Sequence, residues 1–205
     1  MKMFATKILA LAVATTAIMS SALAFDPNDV QLGIPSFAGS GCPMGSSSVV
    51  LSPDAQELSI LFDNYLVEAG GSTGRTIDRK NCTIAVPVHV PQGYSVSLIT
   101  VDYRGFNSLP AGAQSKFQAS YFFAGATGPT QTKTFNAGTE SDYLLHSDLV
   151  VSDVVWSRCG DEVTLRAATS LYVRNTNPMV EALSTVDSAD ISAGLLYKLS
   201  WRRCH

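Results

Sequence analysis

The sequence predicts an all-β protein, a single antiparallel β-sandwich of the jelly-roll or immunoglobulin type that is stapled by two disulfides. Three observations lead to this fold class. Short runs of alternating apolar and polar residues are separated by Gly- and Pro-containing turns, a pattern typical of sandwiches rather than of parallel α/β sheets. The chain has four widely spaced cysteines, and it begins with an export signature.

The amino terminus has the features of a secretory signal. Lys2 and Lys7 flank the start of an apolar stretch (8–19), and the small residues Ala22-Leu23-Ala24 close it. We therefore predict a signal peptide over 1–24, cleavage near Ala24, and one secreted domain over 25–205, located in the periplasm, at the cell surface or outside the cell. The apolar stretch is too short for a transmembrane helix and no second one follows, so we expect no membrane insertion.

The charge of the chain excludes some partners. The full sequence has 14 Lys plus Arg against 17 Asp plus Glu. Without Lys2 and Lys7, the predicted mature domain has 12 against 17, a formal charge of −5. This balance argues against nucleic acid and against an anionic membrane surface, because both require a basic face.

The four cysteines are Cys42, Cys82, Cys159 and Cys204, and four cysteines allow three pairings. We favour Cys42–Cys82 with Cys159–Cys204, since each pair ties neighbouring segments of its own half of the chain. A zinc site is the competing interpretation. It is not favoured, because no two cysteines lie two to four residues apart and the three histidines are scattered.

The strand predictions follow the alternation along the chain. Residues 25–48 are rich in Gly, Pro and Ser and are predicted to form an irregular arm. The clearest strand is Cys82–Val90, in which Pro87 indicates an edge strand or a bulge. Further strands are predicted at Ser47–Leu51, Tyr94–Tyr103, Lys116–Phe123, Lys133–Phe135, Asp148–Trp156, Glu162–Val173 and Leu195–Trp201.

Two segments are ambiguous from local pattern. In Tyr94–Tyr103 the apolar phase slips, which indicates either a bulge near Leu98-Ile99 or a strand covered on both faces. In Ser52–Leu66, a cap, a first-turn proline and the apolar spacing slightly favour a helix. The same residues also fit a Ser-Pro-Asp turn followed by a strand.

A series of short motifs resembles one known family. The motifs are Gly41–Gly45, Leu51–Asp54, Leu61–Asp63, Lys80–Cys82, Val90–Tyr94, Val101–Gly105, Trp156–Gly160 and Trp201–Cys204. Their order and the four-cysteine framework resemble the secreted domain-of-unknown-function family 4360 of bacteria and fungi, over nearly all of the mature chain. The resemblance implies a small secreted β-rich domain and brings no activity, catalytic residue or cofactor. It also implies a strand rather than a helix after the Ser-Pro-Asp turn.

Catalytic candidates are few. The histidines are His89, His146 and His205. His146 lies in a segment that also contains Ser147 and Asp148, but a catalytic triad is assembled by the fold rather than by sequence adjacency. There is no G-x-S-x-G elbow. We therefore predict no catalytic residue, and we expect His89 to be a solvated surface residue.

Calcium is the one cofactor that the acidic residues suggest. Asp142, Asp148 and Asp153 form one group and Asp187 and Asp190 another, and calcium binds loop carboxylates in extracellular β domains. Neither group has the spaced D-x-D-x-D-G pattern. Solvated turns are the favoured interpretation, and we predict no cofactor and no metal site.

A ligand surface is predicted from the densest aromatic set, in which Tyr103, Phe106 and Tyr121 are the candidates and Phe122 and Phe123 are neighbours. Exposed members would stack on sugar rings, whereas core packing is the default for such residues. We thus expect a non-enzymatic protein with a binding or surface-structural role, whose partner is a glycan or another cell-envelope component. The alternatives are a secreted hydrolase with a site built from loops and an inhibitor of a secreted enzyme.

Overall fold

The computed structural model describes residues 25–123, 125–148, 155–186 and 195–204, and in these ranges the chain forms two antiparallel β-sheets. The predicted signal peptide lies outside the described residues. The strands are β1 (Gln31–Leu32), β2 (Ser36–Ala38), β3 (Ser47–Leu51), β4 (Glu57–Phe62), β5 (Leu66–Ala69), β6 (Ile77–His89), β7 (Tyr94–Leu109), β8 (Ala113–Phe123), β9 (Ala126–Phe135), β10 (Thr139–Asp148), β11 (Glu162–Asn175), β12 (Ala182–Thr185) and β13 (Leu195–Arg203). Pro27–Asp29 and Gly71–Thr73 form short 3-10 turns, and the described residues contain no α-helix.

The two sheets have the connectivity of a sandwich. Sheet A has the order β1-β6-β11-β8-β9, with β2 also paired to β6. Sheet B has the order β3-β4-β13-β7-β12-β5, with β10 also paired to β7. Because residues 100–103 of β7 pair with both β13 and β10, these two strands lie on opposite edges of β7.

The core lies between the sheets. Side chains alternate along the strands, so that in β11 every second residue from Val163 to Val173 is buried while the residues between them face outwards. Tyr103 of sheet B packs on Phe117 of sheet A with ring centroids 5.0 Å apart. The hydroxyl of Tyr65, which lies just before β5 of sheet B, is 3.0 Å from the hydroxyl of Thr169 in β11 of sheet A. These contacts confirm the predicted antiparallel β-sandwich.

The slip in the apolar phase of β7 is a β-bulge. Lys198 of β13 pairs with Thr100, but the next residue, Leu199, pairs with Leu98. Ile99 is therefore the extra residue, and its side chain is partly exposed. The bulge allows Leu98 and Val101 to face the same core although they differ in parity.

The ambiguous segment that begins at Ser52 is a turn followed by the strand β4. Asp54 accepts a hydrogen bond from the amide of Gln56 at 3.1 Å and one from the Ser52 hydroxyl. Leu58 and Phe62 are buried at alternate positions of β4, so the helical interpretation is wrong. The local apolar spacing fits both periods, and pairing with β3 and β13 selects the extended one.

The strand that contains Pro87 is not an edge strand. β6 pairs with β11 on one side and with β1 and β2 on the other. Pro87 lies in the gap between β1 and β2, where no amide is required of it, and its carbonyl accepts a hydrogen bond from the amide of Gly33 at 2.9 Å. The predicted strand Asp148–Trp156 lies mostly outside the described residues.

The disulfides have the favoured connectivity. Cys42 is bonded to Cys82 with the Cα atoms 5.4 Å apart, and Cys159 is bonded to Cys204 with the Cα atoms 6.0 Å apart. Cys42 and Cys82 are fully buried, whereas Cys159 is exposed and Cys204 is partly buried. The first disulfide is therefore part of the core, and the second holds a surface segment to the end of β13.

Candidate functional site

The structure corrects two residues of the predicted ligand surface. Tyr103 and Tyr121 are each 1% exposed, because they occupy inward-facing positions of β7 and β8. A side chain in the core cannot stack on a ligand, so these two residues belong to the packing of the sandwich. Phe106 and Phe122 face outwards and are partly buried, Phe106 on sheet B and Phe122 on sheet A.

Phe106 lies in a shallow depression of about 420 Å³ on the outer face of sheet B. Asp142 pairs with it across the strands, and the amide of Phe106 donates to the Thr185 hydroxyl at 2.9 Å. Leu66 and Leu183 complete the apolar part of the lining.

A larger groove, of about 820 Å³, runs along β11 on the outer side of sheet A. β11 contributes Glu162, Thr164, Arg166 and Ala168, and the end of β8 contributes Phe122. Thr83 of β6 and Gly125 of the β8–β9 turn also line it, as do two inward-facing residues of β11, Val163 and Ala167. The segment that precedes β11 contributes Trp156, Arg158 and Asp161.

The register of sheet A explains how these side chains come together. Arg166 pairs directly with Phe122 on one side and with Ala85 on the other. Two residues further along, Ala168 pairs with Thr83. Directly paired residues have Cβ atoms about 5 Å apart, so Arg166 and Phe122 are immediate neighbours, while the small side chains beside them leave room above the sheet.

Four charged side chains line the groove, namely Arg158, Asp161, Glu162 and Arg166, and all four are exposed. Within the part of the chain that the structure describes, none of them forms a salt bridge. Their hydrogen-bonding groups are therefore available to a ligand, and a guanidinium or carboxylate in this position pairs well with hydroxyl groups.

The segment before β11 is fixed to the start of β7. The amide of Ser157 donates to the Val96 carbonyl at 2.9 Å, and the amide of Gly160 donates to the Tyr94 carbonyl at 2.9 Å. The Ser95 hydroxyl donates to the Ser157 carbonyl. Together with the disulfide of Cys159, these bonds hold the backbone that carries Trp156, Arg158 and Asp161.

Trp156 is the largest aromatic side chain of the groove. The guanidinium of Arg202 lies 4.1 Å from the centroid of its ring, which is a cation–π contact. Arg202 thus covers one face of the indole and orients it.

His146 contacts two carboxylates on the outer face of sheet B. Its Nδ1 is 2.5 Å from Asp102 Oδ1, and its Nε2 is 3.0 Å from Asp148 Oδ1. The hydrogen bond with Asp102, and then the charges of both carboxylates, raise the pKa of His146 above its usual value. Since both ring nitrogens are engaged, neither is free to take a proton from a nucleophile as in a catalytic triad.

The other sequence-derived candidates give no site. His89 is exposed at the end of β6, and His205, Asp153, Asp187 and Asp190 lie outside the described residues. Among the residues that the structure describes, no group of three or more His, Cys, Asp or Glu is arranged to hold a metal ion. In the same residues no helix is long and apolar enough to cross a bilayer.

Comparison with known proteins now identifies the family. The model of the domain of unknown function DUF4360 matches residues 28–204. The chain belongs to this family. The resemblance drawn from its cysteine framework and motifs is confirmed.

An uncharacterized secreted protein of Arthroderma benhamiae (strain ATCC MYA-4681 / CBS 112371) is 32% identical over 180 residues, which cover 87% of this chain and 74% of the relative. The predicted localisation is confirmed by this relationship, and the protein is secreted. Among solved structures, that of TmCBM61 in complex with beta-1,4-galactotriose aligns with 83% of this chain and 88% of its own at 9% identity, with a TM-score of 0.27. A score this low carries no argument about the present chain.

The sequence predicts only part of the groove. It named Phe122 within the aromatic set but gave it no role, although its parity is opposite to that of Tyr121 and Phe123. The sequence places Trp156 at the end of a predicted strand and, together with Arg158, in a family motif, but it does not connect either residue with a groove. The alternation of β11 marks Glu162 and Arg166 as outward-facing, but nothing local shows that the segment before the strand lies over them.

Proposed function

We propose that this protein is a secreted, non-enzymatic carbohydrate-binding protein that holds a glycan in the groove along β11. The observation that carries the proposal is the composition of that groove. Phe122 and Trp156 lie in it together with four charged side chains that form no salt bridge in the described residues. Flat aromatic faces suit the apolar faces of sugar rings, and convergent polar groups fix the orientation of a bound ligand.

The position of the groove also supports binding. Its floor is the central strand of sheet A, which is paired to β6 from Glu162 to Arg174 and to β8 from Arg166 to Asn175. A site built on paired strands is pre-organised, so little conformational freedom is lost when a ligand binds.

The test is binding of the oxidised mature protein to a glycan array, followed by calorimetric titration with the glycans that it retains. Phe122→Ala removes an aromatic face from the groove. It should weaken the affinity about tenfold, which corresponds to the free energy of one favourable aromatic contact. Phe106→Ala is the matched control, because it removes a partly buried aromatic side chain of the same kind from the opposite sheet. It should leave the affinity unchanged, and a loss confined to Phe106→Ala would contradict the proposal in favour of the depression on sheet B.

Several results would contradict the proposal. Retention of no glycan on the array would remove its basis, and equal losses in the two variants would show that the groove is not the site. Release of new reducing ends from a bound glycan would show that the protein is a hydrolase instead.

A further inference from the structure

We infer that the groove holds a neutral, linear glycan along several of its sugar units rather than a single terminal sugar. This inference rests on the proposed function and specifies its ligand. Three features carry it, namely the length of the lining, the balance of its charges and the small residues at one end.

The lining extends along much of β11. Glu162 and Ala168 both line the groove and lie six residues apart on an extended strand. At about 3.3 Å per residue, the strand between them spans about 20 Å, which is several times the width of one sugar ring. A single sugar would contact only a fraction of these positions.

Among the residues that the structure describes, the charges along the groove cancel. Arg158 and Arg166 contribute two positive charges, and Asp161 and Glu162 contribute two negative ones. The neighbouring Arg202 is stacked on Trp156 and does not line the groove. Because the described part of the lining has no net charge, it offers neither a polyanion nor a polycation the attraction that a surface of one sign would give.

The polar and aromatic groups are distributed along the groove rather than gathered at one point. Phe122 is level with Arg166 by register, and Thr83 is level with Ala168. Asp161 and Glu162 mark the end where β11 begins. Successive units of a linear chain would therefore meet acidic groups, then Arg166 with the Phe122 ring, and then the small residues.

The first experiment is a length series. The oxidised protein is titrated with neutral β-linked gluco-, manno- and N-acetylglucosamine oligosaccharides from monomer to hexamer, and with galacturonate and glucosamine oligomers as charged counterparts. If each added unit gains one net hydrogen bond, the affinity should rise about fivefold per unit until the groove is filled, and then level off. The dissociation constant should be insensitive to salt.

The second experiment shortens the groove. Ala168→Trp places a large side chain at the end opposite Glu162, and it should lower the affinity of the longer oligomers to that of the shorter ones without affecting the shorter ones. Ser170→Trp is the matched control, because Ser170 is the next outward-facing residue of β11 and does not line the groove. It should change no affinity.

The outcomes separate this inference from the proposed function. Affinities that are the same for monomer and hexamer, or higher for a charged oligomer than for its neutral counterpart, would overturn the inference while glycan binding stands. Equal effects of Ala168→Trp and Ser170→Trp would overturn it too. Absence of binding to every probe would overturn the proposed function itself.

Discussion

Removal of the Cys159–Cys204 disulfide tests how the groove is held in place. The cross-link closes a loop with a sequence separation of 45, for which the chain-entropy account gives about 4 kcal/mol of stabilisation. For a domain of this size, such a loss lowers the melting temperature by about 10 °C. Replacing both cysteines with alanine should therefore leave a folded but clearly less stable protein.

The Cys42–Cys82 disulfide provides the internal control. Its sequence separation is 40, so the loop-closure contribution is again about 4 kcal/mol. Because both of its cysteines are fully buried, their replacement by alanine also leaves a gap in the core, and the total loss should be larger. Its removal leaves the segment before β11 untouched.

Glycan affinity distinguishes the two variants. Cys159 lies between Arg158 and Asp161, both of which line the groove, so loss of its cross-link allows this segment to move. Ordering a side chain on binding costs about 0.5–1.5 kcal/mol, which predicts an affinity about twofold to tenfold lower in the Cys159/Cys204 variant. The Cys42/Cys82 variant should bind normally at temperatures where it is folded.

The assays are denaturant unfolding of both variants under non-reducing conditions and calorimetric titration with the same glycan. Equal losses of affinity in the two variants would refute the idea that the second disulfide fixes the groove. A loss of stability well below 1 kcal/mol in the Cys159/Cys204 variant would refute the loop-closure reasoning.

Two further predictions concern sheet B. Asp102 and Asp148 raise the pKa of His146, so protonation of this side chain stabilises the folded state. The stabilisation is complete below the unfolded pKa of about 6.5 and is lost as the pH rises through the higher pKa of the folded state. Melting temperatures measured across this range should fall as the pH rises, and His146→Asn should make that fall smaller. A methyl group at Gly105 would overlap the Thr185 carbonyl and the Tyr143 hydroxyl. Gly105→Ala should therefore lower the free energy of unfolding, measured with denaturant, by about 3 kcal/mol. An unchanged free energy of unfolding would show that β7 and β12 can separate freely.

The sequence predicts the strands best where one face is fully buried. In β6, Ile84 and Val86 alternate with outward-facing residues, and in β11 the alternation continues over the whole strand. The phase slip at Ile99 also has a local signature, because a bulge must shift the parity of the apolar residues. These features depend only on the spacing of apolar residues along the chain, which can be read directly from the sequence.

Other elements have no such signature. β10 has Leu144 on its outer side and Ser147 on its inner side, so the apolar alternation is blurred and the strand was not predicted over its observed range. The irregular arm contains β1 and β2, which are only two and three residues long and exist because they pair with β6. The sequence predicts Tyr103 and Tyr121 as ligand-surface residues, but both are buried. Which face of a strand is buried depends on how the two sheets pack against each other.

The arrangement of the carboxylates in the described lining supports the proposal that the groove binds a glycan rather than cleaves it. Most glycoside hydrolases use two carboxyl groups that face each other across the scissile bond, about 5–10 Å apart. Asp161 and Glu162 are adjacent in the chain and both come from the end of the groove where β11 begins. A glycan lying along β11 would pass both of them at that end. Beside Arg166, the described lining consists of Phe122 and the small residues of the floor, which supply no acid or base. The same groups are well suited to the hydrogen bonds and ring contacts of a ligand that is bound and released unchanged.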